Sequence, residues 1–108
     1  MTKDVMPYCI GSNVWNGLSK LNEEMGEVQQ VIGKIIGNEG RLDHWDGSNL
    51  RERLQDEIAD VLAAIKFVAN KNALTWSKID RRADAKYAVF CNWHDNTSRR
   101  GTGETGKP

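Results

Sequence analysis

Five carboxylates fall into two sets with helical spacing: Glu23, Glu24 and Glu27, then Glu57 and Asp60. Residues three or four apart share one face of a helix, so each set crowds like charges onto adjacent turns. Helices usually place Lys or Arg at such spacings. Here Gly26 is added instead, at about 1 kcal/mol of helix propensity relative to alanine. A cation would offset both costs, and a hard divalent ion such as Mg²⁺ prefers carboxylate oxygen. Taken alone, the first set reads more readily as a solvated acidic face. The second set turns the reading towards a metal site.

The elements that must position these acids are legible as periodicity. Leu18, Leu21, Met25, Val28, Ile32 and Ile35 recur at steps of three and four, which predicts a helix with one buried face, running to about Gly37. Ser12 or Asn13 is the expected cap. Glu24, Glu27, Val31 and Lys34 each precede a member of the apolar stripe and so lie about 100° around the helix, at the edge of the core. Gly17, Gly26 and Gly33 weaken this helix intrinsically and predict that a neighbouring backbone approaches closely. Gly37 to Gly47 reads as a loop carrying Trp45.

Asn49 and Glu52 resemble a capping box, and Leu54, Ile58, Val61, Ile65 and Val68 predict a second helix to about Asn70. Glu57, Asp60, Ala64 and Phe67 have the same offset from its core stripe as Glu24 and Glu27 have in the first. If the two helices pack antiparallel, as a short connection favours, four carboxylates converge. Lys71 to Leu74 is the next turn, and Thr75 caps a third helix whose stripe is Trp76, Ile79, Ala83, Tyr87 and Phe90, ending near Asn92 to Asp95. Lys78, Arg82 and Lys86, flanked by Arg81, form a basic stripe beside it. The expected fold class is an all-α helical bundle of three main helices. It occupies residues 13–95, between an irregular lead-in over 1–12 and a disordered tail over 96–108.

The 108 residues carry 15 basic and 15 acidic side chains, so no net field attracts nucleic acid or an anionic membrane, and neither is an expected partner. No run approaches the roughly 18 apolar residues of a membrane span, and the first residues lack the apolar core of a secretion signal. Cys9 and Cys91 are too few and too far apart for a disulfide framework, so both read as free thiols and the protein as cytoplasmic. His44 and His94 have no partner at ligand spacing. Gly101 to Lys107 matches the spacing of a phosphate-binding loop, but Pro108 stands where Ser or Thr is needed and no strand precedes it.

Together, Glu23, Glu24 and Glu27 with Glu57 and Asp60 resemble the EExxE and ExxD motifs of the MazG-like all-α nucleoside triphosphate pyrophosphohydrolases. The likeness covers about residues 13 to 92 and includes Ser77 to Asp80, similar to the lysine-bearing start of the last helix in dCTP pyrophosphatases. It implies Mg²⁺-dependent hydrolysis of a (deoxy)nucleoside triphosphate to the monophosphate and pyrophosphate, with Mn²⁺ as a substitute ion. Carried over by position, Glu24, Glu27, Glu57 and Asp60 hold the metal, and Glu23 shapes the site or orients the water. More than one ion is compatible with so many acids.

Lys34, Lys78 and Arg82 are the candidate phosphate contacts, because cationic donors are needed beyond the metal's reach. Trp15 and Trp45 are candidates for stacking on the base, although such residues more often serve a core or interface. The resemblance also implies a homodimer or tetramer, with helices of two chains completing a four-helix bundle. A dUTP-specific diphosphatase, a phosphoribosyl-ATP pyrophosphohydrolase and a non-catalytic nucleotide-binding or regulatory bundle are the alternatives. A di-iron carboxylate bundle is disfavoured, because its ExxH pairs are missing.

Overall fold

The structure, a computed structural model, describes residues 15–44 and 47–99, the last two of these as backbone only. Regular structure among them is helical: α1 (Leu18–Gly37), α2 (Leu50–Lys71) and α3 (Trp76–Arg99). The all-α expectation therefore holds. The chain divides after Leu74 into one unit containing α1 and α2 and a second containing α3.

α1 begins later than the sequence suggests. The expected caps Ser12 and Asn13 lie outside the described residues, and Gly17 takes the cap position with φ +86° and no side-chain cap hydrogen bond. This glycine is required there twice over. Its backbone is left-handed, and a Cβ built on it would lie 2.6 Å from Phe67 Cδ2 and 3.3 Å from Val68 Cγ2. The start of α1 thus rests on the end of α2, which makes the pair antiparallel. Asn72 ties the same end: its Nδ2 donates to the Asn16 carbonyl at 3.0 Å and to the Val68 carbonyl at 2.9 Å.

Close approach at Gly26 and Gly33 is not found, since a Cβ at either would meet nothing within 4 Å among the described residues. What approaches the third glycine, Gly17, is a side chain and not backbone.

The connection from α1 to α2 is a closed turn. Asn38 caps α1, Glu39 and Gly40 take positive φ, and Asn38 Nδ2 donates to the Asp43 carbonyl at 2.7 Å. An antiparallel bridge between Asp43 and Asn49 returns the chain, with Leu50 N donating to the Leu42 carbonyl at 2.6 Å. Asn49 then caps α2 as its spacing predicts, its Oδ1 accepting from Glu52 N at 3.0 Å. Trp45 lies outside the described residues.

The seam between α1 and α2 differs from the predicted apolar stripes. Val31 and Leu50 are almost wholly buried, with Ala64, Val68, Ala69 and the carboxylate residue Glu24 close behind. Met25 and Ile32, expected in the core, are 45% and 42% exposed, and Ile58 is 51% exposed. On α1 the buried line is the one that contains Glu24 and Val31, about one residue around from the predicted centre; on α2 the expected Val68 is buried, with Ala64 of the acid-bearing line beside it, while Phe67 of that line is 48% exposed. Leu50, four residues before the first predicted core position of α2, is the deepest side chain and was not expected there.

α3 starts after Thr75, whose carbonyl accepts from Lys78 N and Ile79 N at 3.1 Å. It continues to Arg99, past the expected end at Asn92 to Asp95, so residues 96–99 belong to a helix and not to the tail. No Gly or Pro stops it before Gly101. Residues 100–108 and the lead-in over 1–12 lie outside the described residues.

Replacing Gly17 with alanine forces an L side chain into a left-handed backbone, a cost on the order of 1–3 kcal/mol, and overlaps the Phe67 ring. Thermal and denaturant unfolding should show a clear loss of stability for Gly17→Ala, and a gain of about 1 kcal/mol for Gly26→Ala, where a Cβ meets nothing within 4 Å.

Candidate metal centre

The register of the antiparallel pair builds the centre. Gly17 abuts Phe67, a carboxylate oxygen of Glu24 lies near those of Asp60 and Glu57, and Glu27 reaches Glu57. Each step forward on α1 is matched by an equal step back on α2: three residues separate Glu24 from Glu27, and three separate Glu57 from Asp60. Helical periodicity on both sides therefore keeps all four carboxylates at the seam.

Oxygens of Glu24, Glu57 and Asp60, one from each, all lie within 4.8 Å of one another. Glu24 is buried, at 8% exposure, while Glu57 is half-buried and Asp60 exposed, so the group opens from the seam towards solvent. Glu24 Oε1 and Glu57 Oε1 are both shut off from solvent and have no hydrogen-bond donor. An uncompensated buried carboxylate oxygen is costly, and two in one cluster are more so.

Glu57 titrates above its ordinary value. Burial is the largest cause, followed by a hydrogen bond with Glu27 and then the charges of Glu27, Asp60 and Glu24.

A divalent cation fits this donor set. The ligand atoms offered are all carboxylate oxygen, which suits Mg²⁺, Mn²⁺ or Ca²⁺ over softer ions, and two of them are buried without a donor. Exposed acids alone would support little. The two orphaned oxygens carry the argument.

Lys20 was not singled out by sequence. Its Nζ lies 3.0 Å from Glu23 Oε1 and 3.0 Å from Glu24 Oε2. The hydrogen bond to Glu24 and then that to Glu23 hold the ammonium well above the ordinary lysine value. The signal was available, since Lys20 precedes Glu23 and Glu24 by three and four residues. Glu23 itself is exposed, on the rim.

The other candidates are dispersed. Lys34 continues the Glu24, Glu27 and Val31 line in the last turn of α1 and is half-buried. Lys78 and Arg82 are exposed on α3, in the second unit, whereas the cluster belongs wholly to the first. Trp15 is 48% exposed just before α1. No helix among the described residues is long and apolar enough to cross a membrane. No family model, curated protein or solved structure matches the chain.

The raised Glu57 value fixes the sign of a pH dependence. A group with a raised folded value contributes stability below its ordinary value of 4.5 and loses it as pH rises through the folded one. In chelator, the melting temperature should therefore fall as pH rises from 4.5 to neutrality. Excess Mg²⁺ at neutral pH should restore it, and Glu57→Gln should flatten both responses.

Proposed function

We propose that the chain is a Mg²⁺-dependent nucleoside triphosphate pyrophosphohydrolase of the MazG-like kind, releasing a (deoxy)nucleoside monophosphate and pyrophosphate. One observation supports this above the rest: acids of the EExxE and ExxD spacings, from two antiparallel helices, meet at one seam with two buried oxygens lacking a donor. Glu24, Glu57 and Asp60 hold the cation, and Glu27 joins them through its contact with Glu57. Mn²⁺ is a suitable substitute.

A cation held by Glu24, Glu57 and Asp60 would reverse the local charge so that a polyanion could enter, and would supply activation of water and stabilisation of charge developing on phosphate oxygen. Ligand carboxylates must be ionised, so cation binding would compete with protonation of Glu57. Glu23, exposed on the rim, is proposed to shape the site or orient the attacking water on the resemblance alone. Lys34, Lys78 and Arg82 are proposed as phosphate contacts and Trp15 and Trp45 as stacking residues, on the resemblance alone.

We further read the working form as a homodimer in which two α1–α2 pairs make a four-helix bundle, with a tetramer as a dimer of these. The support is on the surface of the first unit. Met25, Ile32, Ile36, Ile58 and Leu62 are 42% to 71% exposed, and Met25, Gly26, Val28, Ile58 and Val61 line a groove of about 580 Å³. Few side chains are fully buried between α1 and α2, so a second copy would supply core that the chain lacks.

Chromatography of the products from a panel of (d)NTPs, with Mg²⁺ and with chelator, tests the reaction. Glu27→Gln and Asp60→Asn should each lower turnover by at least about 100-fold, beyond the range that loss of an outer-shell partner costs, with unchanged far-ultraviolet circular dichroism. Full activity in either would sink the metal assignment. Ile58→Lys should shift the sedimentation coefficient towards a monomer and lower the melting temperature; an unchanged sedimentation coefficient would rule Ile58 out of the interface.

A further inference from the structure

Beside the acidic cluster lies a groove of about 440 Å³ bounded by Lys20, Glu24, Asp60, Ala63, Ala64 and Phe67. Its volume falls within the roughly 300–1,000 Å³ of small-molecule sites. Its chemistry is graded along α2. Asp60 stands at the metal end and the half-exposed Phe67 ring at the other, seven residues on, which is about 10 Å of helix at 1.5 Å per residue. The two residues between that line the groove are alanines, so the space is not filled by side chain.

Phe67 is held from behind by Gly17 and capped by Lys71, whose Nζ lies 5.7 Å from the ring centroid. Opposite α2, Lys20 places its ammonium 3.0 Å from a carboxylate oxygen of Glu24. The groove thus offers an anion-binding donor next to the cluster and apolar surface further out. A solvated acidic face would have no use for that order. Buried Glu24 Oε1, without a donor, adds that a cation belongs at the shared wall.

Resting on the pyrophosphohydrolase reading and extending it, we infer that this groove is the substrate's own subsite: Lys20 binds a phosphate of the nucleotide, and the nucleoside lies along Ala63 and Ala64 towards Phe67. Lys20 is a counter-ion to Glu23 and Glu24. With a cation neutralising those carboxylates, the ammonium would be released to a phosphate oxygen in the groove, a charge-assisted contact that a lysine on a flexible stem can make. One residue serves the acids first and the substrate afterwards.

The inference predicts opposite signs for two ligands, which a purely structural role would not. Calorimetric titration of the full chain with MgCl₂ alone, and with non-hydrolysable α,β-imido analogues of the four deoxynucleoside triphosphates in saturating Mg²⁺, reads both. Lys20→Gln should bind Mg²⁺ alone as tightly as wild type or more so, because a competing cation is gone. The same variant should bind the best analogue about tenfold or more weakly, as expected for loss of a charged hydrogen bond. Lys20→Arg should restore most of that affinity. Ala63→Phe should weaken the analogue with Mg²⁺ affinity unchanged.

Unchanged analogue affinity in Lys20→Gln and Ala63→Phe, with wild type still turning over triphosphates, would overturn the subsite and leave the hydrolase reading intact. A Lys20→Gln loss that is equal for Mg²⁺ and analogue would overturn it too, marking Lys20 as scaffold. A wild-type chain that neither binds nor hydrolyses any triphosphate would bring down both readings.

Discussion

Like-charge repulsion across one helix seam is the constraint on which the first unit depends. Glu24, Glu27, Glu57 and Asp60 are held together by the packing of α1 on α2, although carboxylates this close oppose that packing. Two partial answers are present, the raised titration of Glu57, which lessens its charge beside Glu27, Asp60 and Glu24, and the Lys20 ammonium on Glu23 and Glu24. Neither supplies a donor to the buried Glu24 Oε1 and Glu57 Oε1. A multivalent cation would satisfy those oxygens and cancel the repulsion together, and for that reason a metal accounts for more of the arrangement than either partial answer.

Much of this was legible in the chain. Helical spacing placed Glu24, Glu27, Glu57 and Asp60 on matching lines of two helices, and the short connection implied the antiparallel packing that joins them. Asn49 capped α2 as its type and position suggest. The exact seam was not legible. Apolar periodicity marks the face a helix must hide, and does not say which neighbour hides which part of it. Met25, Ile32 and Ile58 therefore looked like the centre, while the line of Glu24, Val31, Leu50 and Ala64 meets the partner helix.

Two other misreadings have similar causes. Gly17 looked like a weak helical residue, but the Phe67 side chain rests against it at the helix start, a contact fifty residues away in sequence. Lys20 was passed over, since its spacing to Glu23 and Glu24 is common on solvated helices. Only the burial of Glu24 distinguishes it. Long-range packing is what a single sequence states least directly.

The described residues of the turn from Asn38 to Asn49 contribute none to the acidic cluster, and the turn closes on itself through the Asp43 and Asn49 bridge. Extra residues at its tip would leave the helix ends where they are, since the entropic cost of a longer loop grows only slowly. One residue inserted within α1 or α2 would instead turn everything beyond it by about 100° and shift it about 1.5 Å, scattering the carboxylates. Chain length is therefore negotiable at one point between the two acidic motifs and fixed within each. Variants of this architecture should differ in that turn first.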